Sequence, residues 1–133
     1  MHTMRLLTAA GIVAISACAF GGNGSELPVA RRPGGATAML EASSGPFTGE
    51  LISVQDDGVV LRGKTIMFVP FIALKQFRID AMGSDYALRP LETPNADKLA
   101  RLRAVSHFPQ GLTPDIRKRL LEQAGQPDIS VIR

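Results

Sequence analysis

Few residues in this sequence of 133 have the types and spacing that catalysis needs. A serine-type hydrolase places a histidine beside a nucleophile and an orienting carboxylate, and the histidines here are His2 and His107. Ser106 precedes His107, but neighbouring residues of a helix point about 100° apart and cannot form a dyad. We therefore interpret His107 as an ordinary residue near the last carbonyls of a helix. We predict that the protein is not an enzyme.

The sequence gives equally little indication that the protein binds a metal, a cofactor or nucleic acid. Cys18 is the only cysteine, whereas zinc sites combine several cysteines and histidines. Asp56-Asp57 lacks the ligand-rich loop that calcium needs, and the glycine-rich segments lack the Gly-Lys-Ser/Thr ending of a phosphate loop. A formal net charge of +3 is too small to indicate nucleic-acid binding. We expect no metal, no cofactor and no nucleic acid.

The first residues have the pattern of an export signal. Arg5 supplies a positive charge, and residues 6–15 are then almost wholly apolar. That run is too short to span a bilayer, which takes ~20 residues, and small residues follow it. Ile15-Ser16-Ala17-Cys18 resembles the lipobox of bacterial lipoproteins. The resemblance implies that a signal peptide, residues 1–17, is removed and that Cys18 carries the lipid.

The same residues permit a second interpretation. Ala17-Cys18-Ala19 also satisfies the small-x-small pattern of ordinary secretion, which would give a soluble secreted domain. The lone thiol favours lipidation, because it has no disulfide partner in the chain. Ala19, where an Asp would imply retention at the inner membrane, leads us to favour the outer membrane. We expect a protein of the bacterial cell envelope that faces the periplasm and is held to the membrane by its N-terminal lipid.

Residues 18–35 indicate a flexible tether between the lipid and a folded domain. Gly21-Gly22-Asn23-Gly24-Ser25 and Pro33-Gly34-Gly35 cannot build periodic structure. A coil of this length has a root-mean-square reach of about 20–25 Å. The tether would therefore hold the domain just clear of the lipid headgroups.

Residues 36–92 are predicted to form a small β-barrel-like unit. Turn signals at Ser43-Ser44-Gly45-Pro46, Asp56-Asp57-Gly58 and Arg62-Gly63-Lys64 divide an apolar stretch into pieces of strand length. Pro70 ends a further strand. The predicted strands cover residues 36–42, 47–55, 58–62, 65–69 and 74–79, with a single tight turn at residues 70–73.

This order of strands resembles the small five-stranded barrels of the Src-homology and Sm-like kind. Gly49-x-Leu51 followed by Asp56 matches part of the first Sm motif, and Leu61-Arg62-Gly63 is similar to the second, although it falls one hairpin too early. Val59 lies near the position where Sm-like proteins have a base-contacting Asn. The resemblance therefore implies the fold and not RNA binding.

Residues 93–133 change from a period of two to a period of 3.6. Thr93-Pro94 or Asn95 begins a first helix with Leu99, Leu102 and Val105, or Ala100 and Ala104, as its apolar stripe. Thr113-Pro114-Asp115 begins a second helix, in which Leu112, Ile116, Leu120 and Ala124 line one face, and Gly125 ends it. We predict an α+β fold, in which a curled antiparallel five-stranded sheet is followed by a C-terminal helical hairpin that packs on the sheet with the tail.

Basic residues on the two predicted helices are candidates for contact with a membrane or a partner. They are Arg101, Arg103, Arg117, Lys118 and Arg119. We expect a non-enzymatic interaction or structural module whose partner is another envelope protein. The alternative is a domain that binds the envelope polymer peptidoglycan, by analogy with bacterial Src-homology-type domains.

Overall fold

A computed structural model describes residues 34–133. The strands are β1 (Thr37–Ala42), β2 (Gly45–Val54), β3 (Gly58–Arg62), β4 (Ile66–Pro70), β5 (Leu74–Ile79) and β6 (Ser130–Val131). The helices are α1 (Ala96–Val105) and α2 (Pro114–Ala124), and single 3-10 turns cover Phe71–Ala73 and Ser84–Tyr86. The α+β class, the first five strands and the two helices are thus confirmed. The predicted signal peptide, Cys18 and residues 18–33 of the tether lie outside the described residues.

The strands form one sheet in the order β5-β1-β2-β3-β4-β6. The pairings from β5 to β4 are antiparallel, and β6 runs parallel to β4. Only the turn Phe71–Ala73 separates β4 from β5 along the chain, although three strands lie between them in the sheet. The sheet must therefore curl strongly so that its two sides approach each other.

The prediction for the sheet is wrong in two respects. Within the described residues the sheet has six strands and is mixed, because the C-terminal tail adds β6 in parallel. It is also not closed into a barrel, since β5 and β6 form the two ends of the sheet and do not pair with each other. A parallel pair needs a long crossover connection, which here contains both helices. A strand of two residues is also too short to show a period in the sequence.

The two helices bury their side chains against different faces of the curled sheet. Leu102 and Val105 of α1 join the main core, together with the inward-facing residues of β1 to β5. Leu120 of α2 joins a second cluster with Ile52 and Val60. Full burial of one such side chain contributes about 1.5–3 kcal/mol. The helices therefore stabilise the sheet from two sides. They do not pack on each other, so the predicted helical hairpin is wrong.

Of the two predicted starts of α1 the structure has Asn95, and the predicted start and end of α2 are confirmed. Asn95 accepts a hydrogen bond from the Lys98 amide at 2.9 Å, and α1 begins directly after it. The hydroxyl of Thr113 accepts from the Ile116 amide at 3.3 Å at the start of α2. Gly125 ends α2 with a φ of 64°, the left-handed conformation that glycine adopts at low cost. These signals are local, which is why the sequence shows them.

The free edge of β4 is partly covered by a side chain. Oε1 of Gln126 accepts a hydrogen bond from the Ile66 amide at 2.9 Å, and its Nε2 donates to the Ile66 carbonyl at 2.8 Å. The amide of Gln126 thus bonds like a backbone peptide group of a neighbouring strand. The tail then continues as β6, in which Ser130 lies opposite Met67. No helix in residues 34–133 is both long enough and apolar enough to cross a membrane.

Candidate functional site

The segment between the helices passes along β2 where β1 no longer covers it. Pairing of β1 with β2 begins at Thr37 and Glu50, so the later residues of β2 have a free edge. The amides of His107 and Phe108 donate to the carbonyls of Leu51 and Ile52, each at 2.9 Å. The chain thereby passes from α1 on one face to α2 on the other, and the free edge of β2 is satisfied.

Glu50 is the centre of a charged cluster at this crossing. Its Oε1 accepts from the Gly35 amide at 2.8 Å and lies 2.6 Å from Nδ1 of His107. Its Oε2 accepts from Nε of Arg62 at 3.0 Å and also pairs with a terminal nitrogen of that guanidinium. We call Gly35, Glu50, Arg62 and His107 the Glu50 junction. It joins the start of the domain, two strands and the connection between the helices.

The surroundings of Glu50 favour its ionised form. Burial alone raises the pKa of this carboxyl group, because it penalises a charge. Hydrogen bonds from Gly35, His107 and Arg62, together with the positive charge of Arg62, outweigh that effect and hold the pKa below its ordinary value. A carboxylate that accepts several hydrogen bonds is therefore the stable state of the junction at neutral pH.

Gly35 is required at the junction because of close packing. A Cβ atom at this position would lie 2.0 Å from the Leu51 carbonyl oxygen and 2.8 Å from the His107 amide nitrogen. Both are backbone atoms, which cannot move away without disturbing the strand or the connection. No other residue fits where the predicted tether enters the domain.

The imidazole of His107 is held by its surroundings. Nδ1 faces Glu50, and the ring stacks on Phe108 with centroids 4.2 Å apart and an interplanar angle of 15°. A carboxylate that orients a histidine in this way supplies two of the three groups of a catalytic triad. The hydroxyl of Ser106, however, is buried and donates to the Arg103 carbonyl at 2.7 Å. The pair belongs to the hydrogen bonds of the Glu50 junction, and no nucleophile among residues 34–133 is hydrogen-bonded to it.

The roles of Glu50 and Arg62 were not predicted from the sequence, although one signal was present. The two residues flank the Asp56-Asp57-Gly58 turn at similar distances and carry opposite charges, as cross-strand partners often do. They are in fact directly opposite in the register of β2 and β3. The approach of His107 left no such signal, because it depends on the path of α1 across the sheet.

The structure distributes the predicted basic residues over both helices. Arg103 donates to the Val54 carbonyl at 3.0 Å and to Asp56 at 2.6 Å, and Arg117 pairs with Asp128. Arg101, Lys118 and Arg119 are exposed. Since α1 and α2 pack against different faces, the five residues are not brought together into one patch. Their contact with a membrane or a partner stays a prediction, as does lipidation of Cys18.

Within the described part of the chain, no group of three or more His, Cys, Asp or Glu side chains is arranged to hold a metal ion. In comparisons with known proteins, no family model, no curated protein and no solved structure matches this chain.

Proposed function

We propose that this protein is a lipid-anchored protein of the bacterial cell envelope, in which the domain acts as a non-enzymatic interaction module. The observation that carries the proposal is the sequence Ile15-Ser16-Ala17-Cys18 after an apolar run, in a chain with no second cysteine. Acylation of the cysteine thiol and amine gives two or more acyl chains, which is enough for stable anchoring. The envelope then presents the domain at the end of the tether.

The Glu50 junction also supports this proposal, because it fixes the end of the predicted tether to the folded domain. Gly35, where the tether ends, donates its amide to Glu50, and the next residue, Ala36, donates to the Val105 carbonyl at 2.9 Å. The attachment point is therefore bonded both to the sheet and to α1. A pulling force on the tether would therefore act on residues that are hydrogen-bonded to the folded domain. This arrangement suits a module that is held at a surface.

Mass spectrometry of the mature N-terminus tests the anchor. In a bacterial host with lipoprotein processing, we expect the wild type to begin at an acylated Cys18. Cys18→Ser, which keeps a small polar residue but has no thiol to acylate, should accumulate with its leader uncleaved. A wild-type chain that is unmodified and begins at Phe20 would contradict the proposal and identify an ordinary secreted domain.

Membrane fractionation separates a lipid anchor from charge-driven binding. We expect wild-type protein to stay on membranes in high salt and to leave them only with detergent, because salt screens charges and not acyl chains. Release by salt alone would contradict the anchor and attribute binding to exposed cations such as Arg101 and Lys118. The variant Lys118→Gln should fractionate like the wild type.

The interaction role has its own test. Crosslinking on intact cells should join the domain to a specific envelope protein, and incubation with purified cell wall should leave it in solution. Retention on the wall would replace the proposed role with polymer binding. A hydrolytic activity that His107→Ala abolishes would contradict the non-enzymatic role.

A further inference from the structure

Three large apolar side chains are exposed among residues 34–133, and two of them lie at the same end of the sheet. These two are Ile72, which is 80% exposed, and Leu91, which is 73% exposed, whereas Val131 lies in β6. Ile72 is the middle residue of the turn between β4 and β5. The Leu91 amide donates to the carbonyl of Leu74, the first residue of β5, at 3.2 Å. We call Ile72 and Leu91 the apolar tip.

The backbone at Leu91 is an outlier that burial does not explain. Its φ of 57° lies in the left-handed region, which is unfavourable for a bulky residue. Glycine or asparagine would adopt this conformation at a lower cost, yet the position holds a leucine whose side chain stays mostly in water. Strained residues of this kind cluster at functional sites such as ligand clamps. The apolar tip is therefore a candidate for contact with a partner.

The charges around the apolar tip favour an anionic partner. Lys75 and Arg89 lie within three positions of the tip in the sequence, and both are exposed. Neither side chain has an ion-pair partner in the described part of the chain. The acids beside the tip are Glu92, which already pairs with Lys98 at 2.8 Å, and Asp57, whose carbonyl accepts a hydrogen bond from the turn. The balance of charge is positive, because two unpaired cations outnumber one unpaired acid.

The size of the apolar tip favours a bilayer over a protein as this partner. A stable protein–protein interface buries about 800 Å² on each partner and involves roughly 20–30 residues a side, whereas the tip consists of two. Two aliphatic side chains with adjacent cations suit a weak contact with an anionic bilayer. Such a contact becomes effective when a tether already holds the domain near the bilayer, because the local concentration is then high.

The predicted tether is long enough for this contact. Leu74, beside the tip, pairs with Ala42 at the end of β1, whereas Gly35 precedes the start of β1. The six residues of β1 separate the two points, which corresponds to about 20 Å. The coil predicted for the tether has a reach of about 20–25 Å. The domain can therefore lie on its side, with the tip against the bilayer.

We propose that the apolar tip inserts into the headgroup region of the anionic bilayer that carries the protein, with Lys75 and Arg89 on the lipid phosphates. The proposal rests on the proposed lipid anchor, and its test therefore measures the anchor and the tip separately. It concerns a surface different from the basic residues of α1 and α2.

Tryptophan fluorescence tests the insertion, because the sequence contains no tryptophan. The processed protein is purified from membranes and reconstituted on vesicles of phosphatidylglycerol and phosphatidylcholine whose acyl chains are brominated near the headgroup. We expect the lipid to quench the Ile72→Trp variant and to leave Gln123→Trp, at an exposed position of α2, unquenched. Flotation of the vesicles measures the anchor. A chain that floats with the vesicles while Ile72→Trp stays unquenched would overturn the insertion and leave the anchor intact.

A chain that does not float would contradict the anchor and not the tip. The Ile72→Trp variant is then mixed with a large excess of the same vesicles, where quenching is still expected. Its absence there would overturn the insertion as well.

Further substitutions in the Ile72→Trp variant assign the contacts. Leu91→Asn should lower the ratio of docked to free tip about 10-fold, because it removes one apolar side chain. Lys75→Gln together with Arg89→Gln should lower it about 10-fold or more on anionic vesicles and have no effect on pure phosphatidylcholine. Lys118→Gln, which removes an exposed cation of α2, should change neither value.

Three results would overturn the proposal. Equal quenching of Ile72→Trp and Gln123→Trp would show that the domain lies on the bilayer without a preferred side. No effect of Leu91→Asn would exclude the apolar contact. A photo-crosslinker at position 72 that joins the chain to a protein in intact cells, and not to lipid, would assign the tip to a protein partner.

Discussion

Nδ1 of His107 lies 2.6 Å from Oε1 of Glu50, although 57 positions separate the two residues in the sequence. The same oxygen accepts from the amide of Gly35. One carboxylate oxygen therefore holds the first residues of the domain and the connection between the helices against β2. Loss of its charge should loosen both segments at once.

Replacing Glu50 by Gln tests this role. Glutamine keeps the shape but removes the negative charge, and its NH₂ group must face donors on Arg62, His107 or Gly35. Hydrogen bonds to charged groups contribute about 1.5–3 kcal/mol, and the Glu50 side chain is only 21% exposed. We expect Glu50→Gln to lower the free energy of unfolding by about 2 kcal/mol, measured by urea denaturation.

Glu41→Gln is the matched control, because Glu41 lies on the neighbouring strand β1 and is exposed. Surface changes of this kind usually stay within about 0.5 kcal/mol. Equal effects of the two substitutions would show that the Glu50 junction contributes nothing specific to stability.

Acid should remove the contribution of Glu50. Its pKa is lower in the folded protein than in the unfolded chain, where Glu titrates near about 4.3. The unfolded state therefore binds more protons in this range, and stability falls as the pH falls. The contribution is complete above the unfolded pKa and is lost as the pH passes down through the folded pKa.

Glu92 also has a lowered pKa, through the Arg89 amide and Lys98, and it adds to the acid sensitivity of both proteins. The informative quantity is therefore the difference between wild type and Glu50→Gln. Urea denaturation at a series of pH values should show this difference narrowing from about pH 6 to about pH 3. A difference that stays constant would contradict a role for the Glu50 charge.

Local signals predicted much of the secondary structure. Thr113 and Gly125 bracket α2 because caps act through bonds within one turn of the helix. Asp56-Asp57-Gly58 separates β2 from β3 for the same reason: the turn is decided by its own residues. Such features need no knowledge of the rest of the chain.

Features that depend on distant contacts were not predictable. Sequence pattern gives α1 and α2 an apolar side, but it does not state that these sides lie against different faces of the sheet. The Glu50–His107 contact depends on the route that the chain takes between the helices. The β-bulge at Ile52 depends on the register of β2 with β3.

The close packing at Gly35 predicts that a single added methyl group strongly lowers the stability of the folded protein. Gly35→Ala would place Cβ 2.0 Å from the Leu51 carbonyl oxygen, so the junction must separate. We expect a loss of about 3 kcal/mol or more in the free energy of unfolding. At Gly83 nothing lies within 4 Å of an added Cβ, and its φ of −77° suits any residue. Gly83→Ala should therefore stay within about 0.5 kcal/mol, and similar losses at both positions would contradict the close approach.

A suitable replacement of Leu91 should increase the stability of the protein. It has a φ of 57° and is 73% exposed. The left-handed backbone is unfavourable for leucine, and the side chain buries too little apolar surface to compensate for it. Asparagine tolerates this conformation better, and Leu91→Asn should raise the thermal midpoint by an amount equivalent to about 0.5–1 kcal/mol. Leu91→Ala keeps the unfavourable φ and should show no such gain. A gain with alanine equal to that with asparagine would attribute the effect to lost apolar surface.

The edge of β4 should depend on the side-chain amide of Gln126. Gln126 both accepts from the Ile66 amide and donates to its carbonyl. Gln126→Glu keeps the acceptor but places a carboxylate oxygen against that carbonyl, so we expect a loss of about 2 kcal/mol and faster hydrogen exchange of the Ile66 amide. Gln123→Glu, an exposed change on α2 that adds the same charge, should alter neither quantity.

The pH dependence of the Gln126→Glu variant distinguishes the loss of a hydrogen bond from a general effect of the added charge. A neutral carboxylic acid regains one donor, so the Gln126→Glu variant should recover part of the lost stability relative to wild type as the pH falls towards the pKa of glutamate, about 4.3. The folded-state pKa of the new side chain should be raised, because its charged form faces a carbonyl oxygen. A loss of stability that is independent of pH would mean that Gln126 only fills space at the edge of the sheet. Its hydrogen bonds with the Ile66 backbone would then not contribute to stability.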